Sequence, residues 1–149
     1  MTSARDVAVA AYNVCWDLLE RNRTDAEDAA LLTSAFESRY FWSAAGGAQE
    51  HAVADWMVSR AAAATGNPRM ALTFAWASLE HDGEGFPAWL QASLLEGLAR
   101  ALTSGGADEE ATTVIRRARA ILREEPDRDS IAVIEGQIAE LEVAMLDQR

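Results

Sequence analysis

One kind of interruption recurs along the sequence and constrains the fold more than any other feature. It consists of a turn, a polar first helical turn and then alanine, and it occupies residues 24–29, 66–71 and 106–111. The closing alanines are 42 and 40 residues apart. A period of this size predicts helical hairpins, which bury their apolar faces only when neighbouring hairpins stack. The sequence therefore predicts an all-α solenoid of helical hairpins.

The segments between these interruptions are rich in alanine and leucine, and none sustains the period-two alternation of a strand. We expect about seven helices, near residues 4–21, 25–44, 48–64, 68–81, 87–103, 108–124 and 128–146. They are predicted to form a single domain over residues 1–149, with hairpins at about 4–44, 48–81 and 87–124 and a capping helix at about 128–146.

Several predicted helix starts carry side chains suited to capping. Ser3 with Asp6, and Thr24 with Glu27, have the spacing of a capping box, in which each side chain accepts a hydrogen bond from the other residue's backbone amide. Asp127 is placed to cap the seventh helix. These residues predict where three of the helices begin.

Two segments resemble tetratricopeptide units. In residues 53–82 a first helix ends near 62–64, a tight turn follows, and the second helix carries Ala71, Ala75, Ser78 and Leu79. In residues 88–126 the matching positions are Gly97, Ala101, Ala111, Ile115 and Ala118, with Pro126 after them. The repeat exceeds the about 34 residues of the strict family, so the chain is similar to tetratricopeptide-like proteins more broadly. The resemblance implies a right-handed solenoid with a concave groove.

A narrower resemblance covers residues 30–145. The segments Ser38-Arg39-Tyr40-Phe41-Trp42 and Trp56-Met57-Val58-Ser59-Arg60 look like those of a group of uncharacterised bacterial tetratricopeptide-like proteins. That group often has histidine where this chain has Phe41. The phenyl ring of Phe41 neither binds metal nor transfers protons, so no such role is predicted at this position. The resemblance brings no established activity with it.

Charge and composition argue against several classes of function. The net charge of −11 repels phosphate-rich partners, so general nucleic-acid binding is not expected. The sequence has no run of about 18 apolar residues and no signal-peptide pattern, which predicts a cytoplasmic protein without membrane association. All 13 basic residues are arginine, and with the abundant alanine this predicts a GC-rich bacterial source.

Residues with metal-binding or catalytic chemistry are few. His51 and Asp55 are four residues apart on a predicted helix and share a face. A transition-metal site usually needs three or four ligands. The other histidine, His81, is 30 residues from His51 and is expected to interact with the last carbonyls of its own helix. Because phosphate loops and nucleophile elbows are also missing, we predict no catalytic residue, no metal and no cofactor.

Arg39 and Arg60 stand out because both lie in predicted helices that are otherwise apolar and aromatic. A charged side chain in such a setting must be paired or must reach a groove. An internal ion pair, with Glu37, Asp55 or Asp17 as candidate partners, is favoured over an anion clamp. The candidate groove residues are Arg39, Tyr40, Trp42, His51, Asp55, Trp56 and Arg60.

The favoured function is a non-catalytic interaction module whose concave groove binds a protein or peptide segment. Because the chain is acidic, a basic segment is the favoured partner. The alternative is a small-molecule-binding or enzymatic domain with a pocket around Arg39, His51, Trp56 and Arg60.

The seventh predicted helix carries a continuous apolar seam at steps of three and four residues. The seam consists of Ile131, Ile134, Ile138, Leu141 and Met145. We expect it to dock within the chain on a matching stripe of the sixth helix, formed by Val114, Ile115, Ala118, Ile121 and Leu122. A homodimer through the C-terminal helices is the alternative, in which the seam meets its symmetry mate.

Overall fold

The computed structural model describes residues 1–82 and 85–147, and within these residues all regular structure is helical. The described part of the chain forms seven helices: α1 (Ala4–Leu19), α2 (Asp25–Ala45), α3 (Ala48–Ala64), α4 (Pro68–Glu80), α5 (Ala88–Ser104), α6 (Asp108–Leu122) and α7 (Arg128–Asp147). The predicted all-α class and the number of helices are confirmed.

The predicted helix caps form as the sequence indicates. Ser3 Oγ accepts a hydrogen bond from the Asp6 amide at 3.1 Å, and Asp6 Oδ2 accepts one from the Ser3 amide at 3.2 Å. Thr24 and Glu27 make the same reciprocal pair at the start of α2. Asp127 Oδ2 accepts from an amide in the first turn of α7 at 3.3 Å. Each cap satisfies a backbone donor that has no partner within its helix.

Consecutive helices pack as the pairs α1–α2, α3–α4 and α5–α6, as the predicted hairpins require. The first helices of successive pairs also contact each other, since α1 packs on α3 and α3 packs on α5. The unpaired α7 continues this arrangement by packing on α5. These four odd-numbered helices form one layer, and α2, α4 and α6 cover its outer side. The turns between paired helices are tight, with Gly66 and Gly106 at φ angles of 77° and 83°, which favour glycine.

Two large apolar clusters hold the layers together. The first joins α1, α2, α3 and α5, and its fully buried side chains include Cys15, Leu31, Met57, Leu90 and Leu94. Burial raises the pKa of the Cys15 thiol to about 12. A thiol with this pKa stays protonated at neutral pH and packs as a small apolar group, as the sequence predicts.

The second cluster includes the seam of α7. Ile134, Ile138, Leu141 and Met145 are buried, and Ile131 is half-buried, against residues of α6 such as Ile115 and Leu122. The predicted dock on α6 therefore forms, and the seam also packs on Ala92, Leu95 and Ala99 of α5. The small side chains of Ala92 and Ala99 leave room for the apolar seam of α7 against α5.

An ionic contact also holds α7 on α6. Arg119 donates from Nη1 and Nη2 to the two oxygens of Glu142, at 3.1 and 2.7 Å. Its Nε lies 3.3 Å from Glu135 Oε2. The hydrogen bond from Arg119 lowers the pKa of the Glu142 carboxyl. A bidentate pair of this kind fixes the register of two helices.

Among the described residues, no helix combines the length and the apolar composition that a membrane crossing requires.

Candidate binding channel

The layer of odd-numbered helices encloses a cavity of about 380 Å³. All four helices contribute to its wall: Tyr12 and Trp16 from α1, Val53 and Trp56 from α3, Trp89, Leu90, Ser93 and Leu94 from α5, and Ser130, Val133, Ile134 and Gln137 from α7. α1 and α7 make no contact with each other within the described residues, so they stand as opposite walls above a floor of α3 and α5.

Two further cavities lie on opposite sides of this one along the helix axes. One, of about 320 Å³, shares Tyr12, Val53, Trp89 and Leu90 with the first and extends towards the starts of the helices. The other, of about 260 Å³, lies towards the ends of the same four helices, between Leu19, Arg60, Arg100 and Glu140. We call the three cavities together the channel. The first and third cavities share no lining residue, and Arg60, which packs on Trp16 and Trp56, lies between them.

Aromatic rings form the apolar middle of the channel. The Trp16 ring packs against Tyr12 on one side and Trp56 on the other, with centroid distances of 6.3 and 5.9 Å. Trp56 lies directly over Gly97, where a Cβ atom would stand 2.5 Å from the indole Cδ1. Only glycine allows this approach, which explains physically why a small residue is needed there. Trp89 remains partly exposed at the mouth of the channel.

A cluster of charged side chains lies in the channel floor, next to these rings. Glu96 is fully buried and accepts two hydrogen bonds from Arg100, at 2.9 and 2.7 Å. Arg60, which is 9% exposed, holds its Nη1 atom 3.6 Å from Glu96 Oε2. Its guanidinium lies 5.0 Å from the Trp16 centroid and 5.6 Å from that of Trp56, so both rings stabilise the cation. We call Arg60, Glu96 and Arg100 the arginine cluster.

The arginine cluster has two cations and one buried carboxylate. Within the described residues, Arg60 Nη1 and Glu96 Oε2 are buried without a hydrogen-bond partner. Burial, and after it the positive charge of Arg100, lower the pKa of the Arg60 guanidinium. Glu140 stands at the rim, exposed, with its Oε1 atom 3.9 Å from Arg100 Nη1. In the part of the chain that the structure describes, Arg100 Nη1 makes no hydrogen bond, so it is the donor of the cluster that is left to meet a ligand in the cavity at the helix ends.

A second polar cluster lies on another face of α3, where α2, α3 and the end of α4 meet. Asp55 is 3% exposed and accepts from Arg39 Nε at 2.6 Å and from His81 Nε2 at 2.8 Å. The Arg39 guanidinium also lies 5.2 Å from the Phe74 ring centroid. The predicted internal ion pair of Arg39 thus forms, with Asp55 as its partner.

The histidines are closer together than their spacing in the sequence indicates. The rings of His51 and His81 stand 5.9 Å apart. His51 Nε2 donates to the Trp42 carbonyl at 3.0 Å, which fixes the orientation of its ring. His81 binds Asp55 rather than the last carbonyls of its own helix, so its predicted role is corrected: the α3–α4 turn brings the end of α4 beside Asp55. Among the described residues, no group of three histidine, cysteine or acidic side chains could hold a metal ion.

The seven candidate groove residues fall into separate places. Trp56 and Arg60 lie in the channel, and Trp42 lines its entrance with its ring mostly buried. Arg39, His51 and Asp55 belong to the second polar cluster, and Tyr40 is 71% exposed on α2. Residues 55 and 56 point to different faces because successive helical residues are about 100° apart. The geometry therefore does not gather Arg39, His51, Trp56 and Arg60 around one pocket.

Several channel residues were missed by the sequence analysis, notably Tyr12, Trp16, Trp89, Glu96 and Arg100. The spacing of Glu96 and Arg100 is a signal that could have identified this pair, because an acidic and a basic residue four apart in a helix lie on one face and can form an ion pair. No local pattern connects them to Arg60, since that contact depends on how α3 packs on α5.

Comparison with known proteins gives no match: no protein-family model, no curated protein and no solved structure matches the chain. The geometry of the channel and of the two polar clusters therefore carries the functional argument.

The second polar cluster predicts an asymmetric response to mutation. Replacing Asp55 by alanine leaves the partly buried His81 ring and the Arg39 guanidinium without their acceptor, and we expect a loss of about 2–3 kcal/mol in the free energy of unfolding. Arg39→Ala should cost less than about 1 kcal/mol, because the Arg39 side chain is 46% exposed and His81 still binds Asp55. Urea denaturation of both variants measures the difference. Equal losses would show that Asp55 is not the centre of the cluster.

Proposed function

We propose that this protein is a non-catalytic, tetratricopeptide-like interaction module, and that the channel binds an extended or helical segment of a protein partner. One observation supports this most strongly. The channel runs between α1 and α7, whose backbones make no contact within the described residues, and rings from three helices line its middle. Elongated apolar grooves with aromatic anchors are the sites that peptides and amphipathic helices use.

The shape of the channel also favours a chain segment over a small molecule. The main cavity shares four residues with the cavity at the helix starts, and a further cavity lies at the helix ends, so a linear ligand has room along the helix axes. Small-molecule sites, in contrast, enclose most of the ligand surface in one concave pocket. The strong net negative charge of the chain, −11, favours a partner whose flanking residues are basic.

Selection from a random library of 12-residue displayed peptides tests this function. The enriched peptides, synthesised with a fluorescent label and an amidated C-terminus, should bind the whole chain with a measurable Kd by fluorescence anisotropy. Ser93→Arg places a long side chain inside the main cavity, and it should weaken binding about tenfold or more by occupying the ligand's place.

A matched control uses Thr113→Arg, which adds the same charge at an exposed position on α6. It should leave Kd within about twofold of the unsubstituted chain, because surface charges contribute little when they are far from the ligand. The proposal is contradicted if no peptide is enriched, or if the enriched peptides bind Ser93→Arg as tightly as Thr113→Arg while both variants keep their helical circular dichroism.

A further inference from the structure

The arginine cluster bears on what the channel binds. It occupies the floor between the aromatic middle and the cavity at the helix ends, where Arg60 and Arg100 both line the wall. Other charges face this cavity too. Arg23 is engaged by Asp28 at 2.7 Å, and Glu140 approaches Arg100 only to 3.9 Å from the exposed rim. The cations that remain to meet a ligand are therefore Arg60 and Arg100.

We propose that the arginine cluster binds an acidic side chain of the partner segment, next to the apolar side chains that the aromatic rings accept. This inference rests on the proposed function and deepens it. Glu96 Oε1 accepts two hydrogen bonds from Arg100 Nε and Nη2, whereas Arg100 Nη1 makes no hydrogen bond within the described residues and lies 3.9 Å from Glu140 Oε1. A second carboxylate in the channel would supply the acceptor that this geometry lacks.

The position of the cluster favours a side chain over a chain terminus. The wall continues past Arg60 to Ala63 and Ala64, and past Arg100 to Thr103 and Ser104. A partner segment can therefore run beyond the arginines and present a glutamate or aspartate to them on the way. The rings of Trp16 and Trp56 on either side of Arg60 restrict its guanidinium, so the cation is already oriented before a ligand arrives.

Glu140 and the ligand carboxylate compete for the same cation in this arrangement. Removing the charge at the rim with Glu140→Gln should therefore tighten the binding of selected peptides about threefold, because the exposed Glu140 lies closest to the charged end of Arg100. Arg100→Gln should weaken binding about tenfold, since it removes a charge-assisted hydrogen bond from a partly buried site. A lower Kd for Glu140→Gln and a higher Kd for Arg100→Gln, at two side chains that lie 3.9 Å apart, would not arise from a general loss of structure.

The experiment uses the peptides selected for channel binding, each synthesised with an amidated C-terminus so that side chains supply every carboxylate. Each acidic residue of a peptide is replaced in turn by its amide, and Kd is measured with the whole chain, with Glu140→Gln, with Arg100→Gln and with Arg116→Gln. Arg116 is exposed on α6 and serves as the matched control, expected to change Kd by less than about twofold.

The expected result is one acidic position in the peptide whose amide weakens binding about tenfold to the whole chain and hardly at all to Arg100→Gln. The inference is overturned if channel-binding peptides have no such position, or if Glu140→Gln leaves Kd unchanged. The proposed function then still stands, because Ser93→Arg tests it separately. If no selected peptide depends on the channel, both proposals fail.

Discussion

Glu96→Gln is expected to lower the free energy of unfolding by about 3 kcal/mol or more. The change keeps the shape of the side chain and removes only its charge, so the effect reports electrostatics rather than packing. Glu96 is fully buried between two guanidinium groups, and Arg60 is itself almost fully buried. Without the carboxylate, two cations face each other in a region that water scarcely reaches, and removing one partner of a buried ion pair is costly.

Urea denaturation followed by circular dichroism measures this loss. Glu109→Gln, at an exposed position in the first turn of α6, is the matched control and should change stability by less than about 0.5 kcal/mol. The double variant with Arg60→Met and Glu96→Leu should recover at least half of the loss, because apolar residues often replace a buried ion pair at little cost. A Glu96→Gln chain as stable as the control would show that Glu96 is not the counter-ion of the cluster.

Ile138→Glu is expected to unfold the C-terminal part of the domain, with a loss of about 4 kcal/mol or more. Ile138 is fully buried in the cluster where α7 packs on α5 and α6, so a carboxylate there would stand among apolar side chains. Val143→Glu on the same helix is the control. Val143 is 57% exposed, so its substitution should cost less than about 0.5 kcal/mol.

Light scattering on the same variants distinguishes the two sequence-based expectations for the seam. If the seam belongs to the core of one chain, Ile138→Glu loses helix content and cooperativity, and the unsubstituted chain and Val143→Glu have the same mass. A folded, monomeric Ile138→Glu derived from a dimeric parent would instead place the seam at a subunit interface. That result would contradict the packing of Ile138 against its own α5 and α6.

The local features of the fold could be predicted because they depend on residues close in sequence. Capping boxes span three residues, as Ser3–Asp6 and Thr24–Glu27 show, and a helical period is visible within a single segment. The seam of α7 was predictable for the same reason. Its contact with α5 was not, because small residues such as Ala92 and Ala99 carry no pattern that identifies their neighbour.

The polar clusters could be predicted only in part. The rule that a charge in an apolar setting needs a partner predicted an internal ion pair for Arg39 and left Asp55 as one of three candidate partners. Glu96 is 36 positions from Arg60 in the sequence, and their contact exists only because α3 lies on α5. His51 and His81 likewise meet through an antiparallel hairpin. Sequence showed which side chains needed partners, and tertiary packing determined the partners they found.

The indole N–H signals of the five tryptophans offer the most direct test of the channel as the binding surface. Trp16 and Trp89 line the main cavity, and Trp76 lies on α4, half exposed, outside the channel. Each signal is assigned with a Trp→Phe variant and followed by NMR as a selected, amidated peptide is added. We predict that the signals of Trp16 and Trp89 shift in proportion to occupancy and that the signal of Trp76 stays unchanged. A shift of Trp76 while Trp16 and Trp89 remain unaffected would contradict the assignment of binding to the channel.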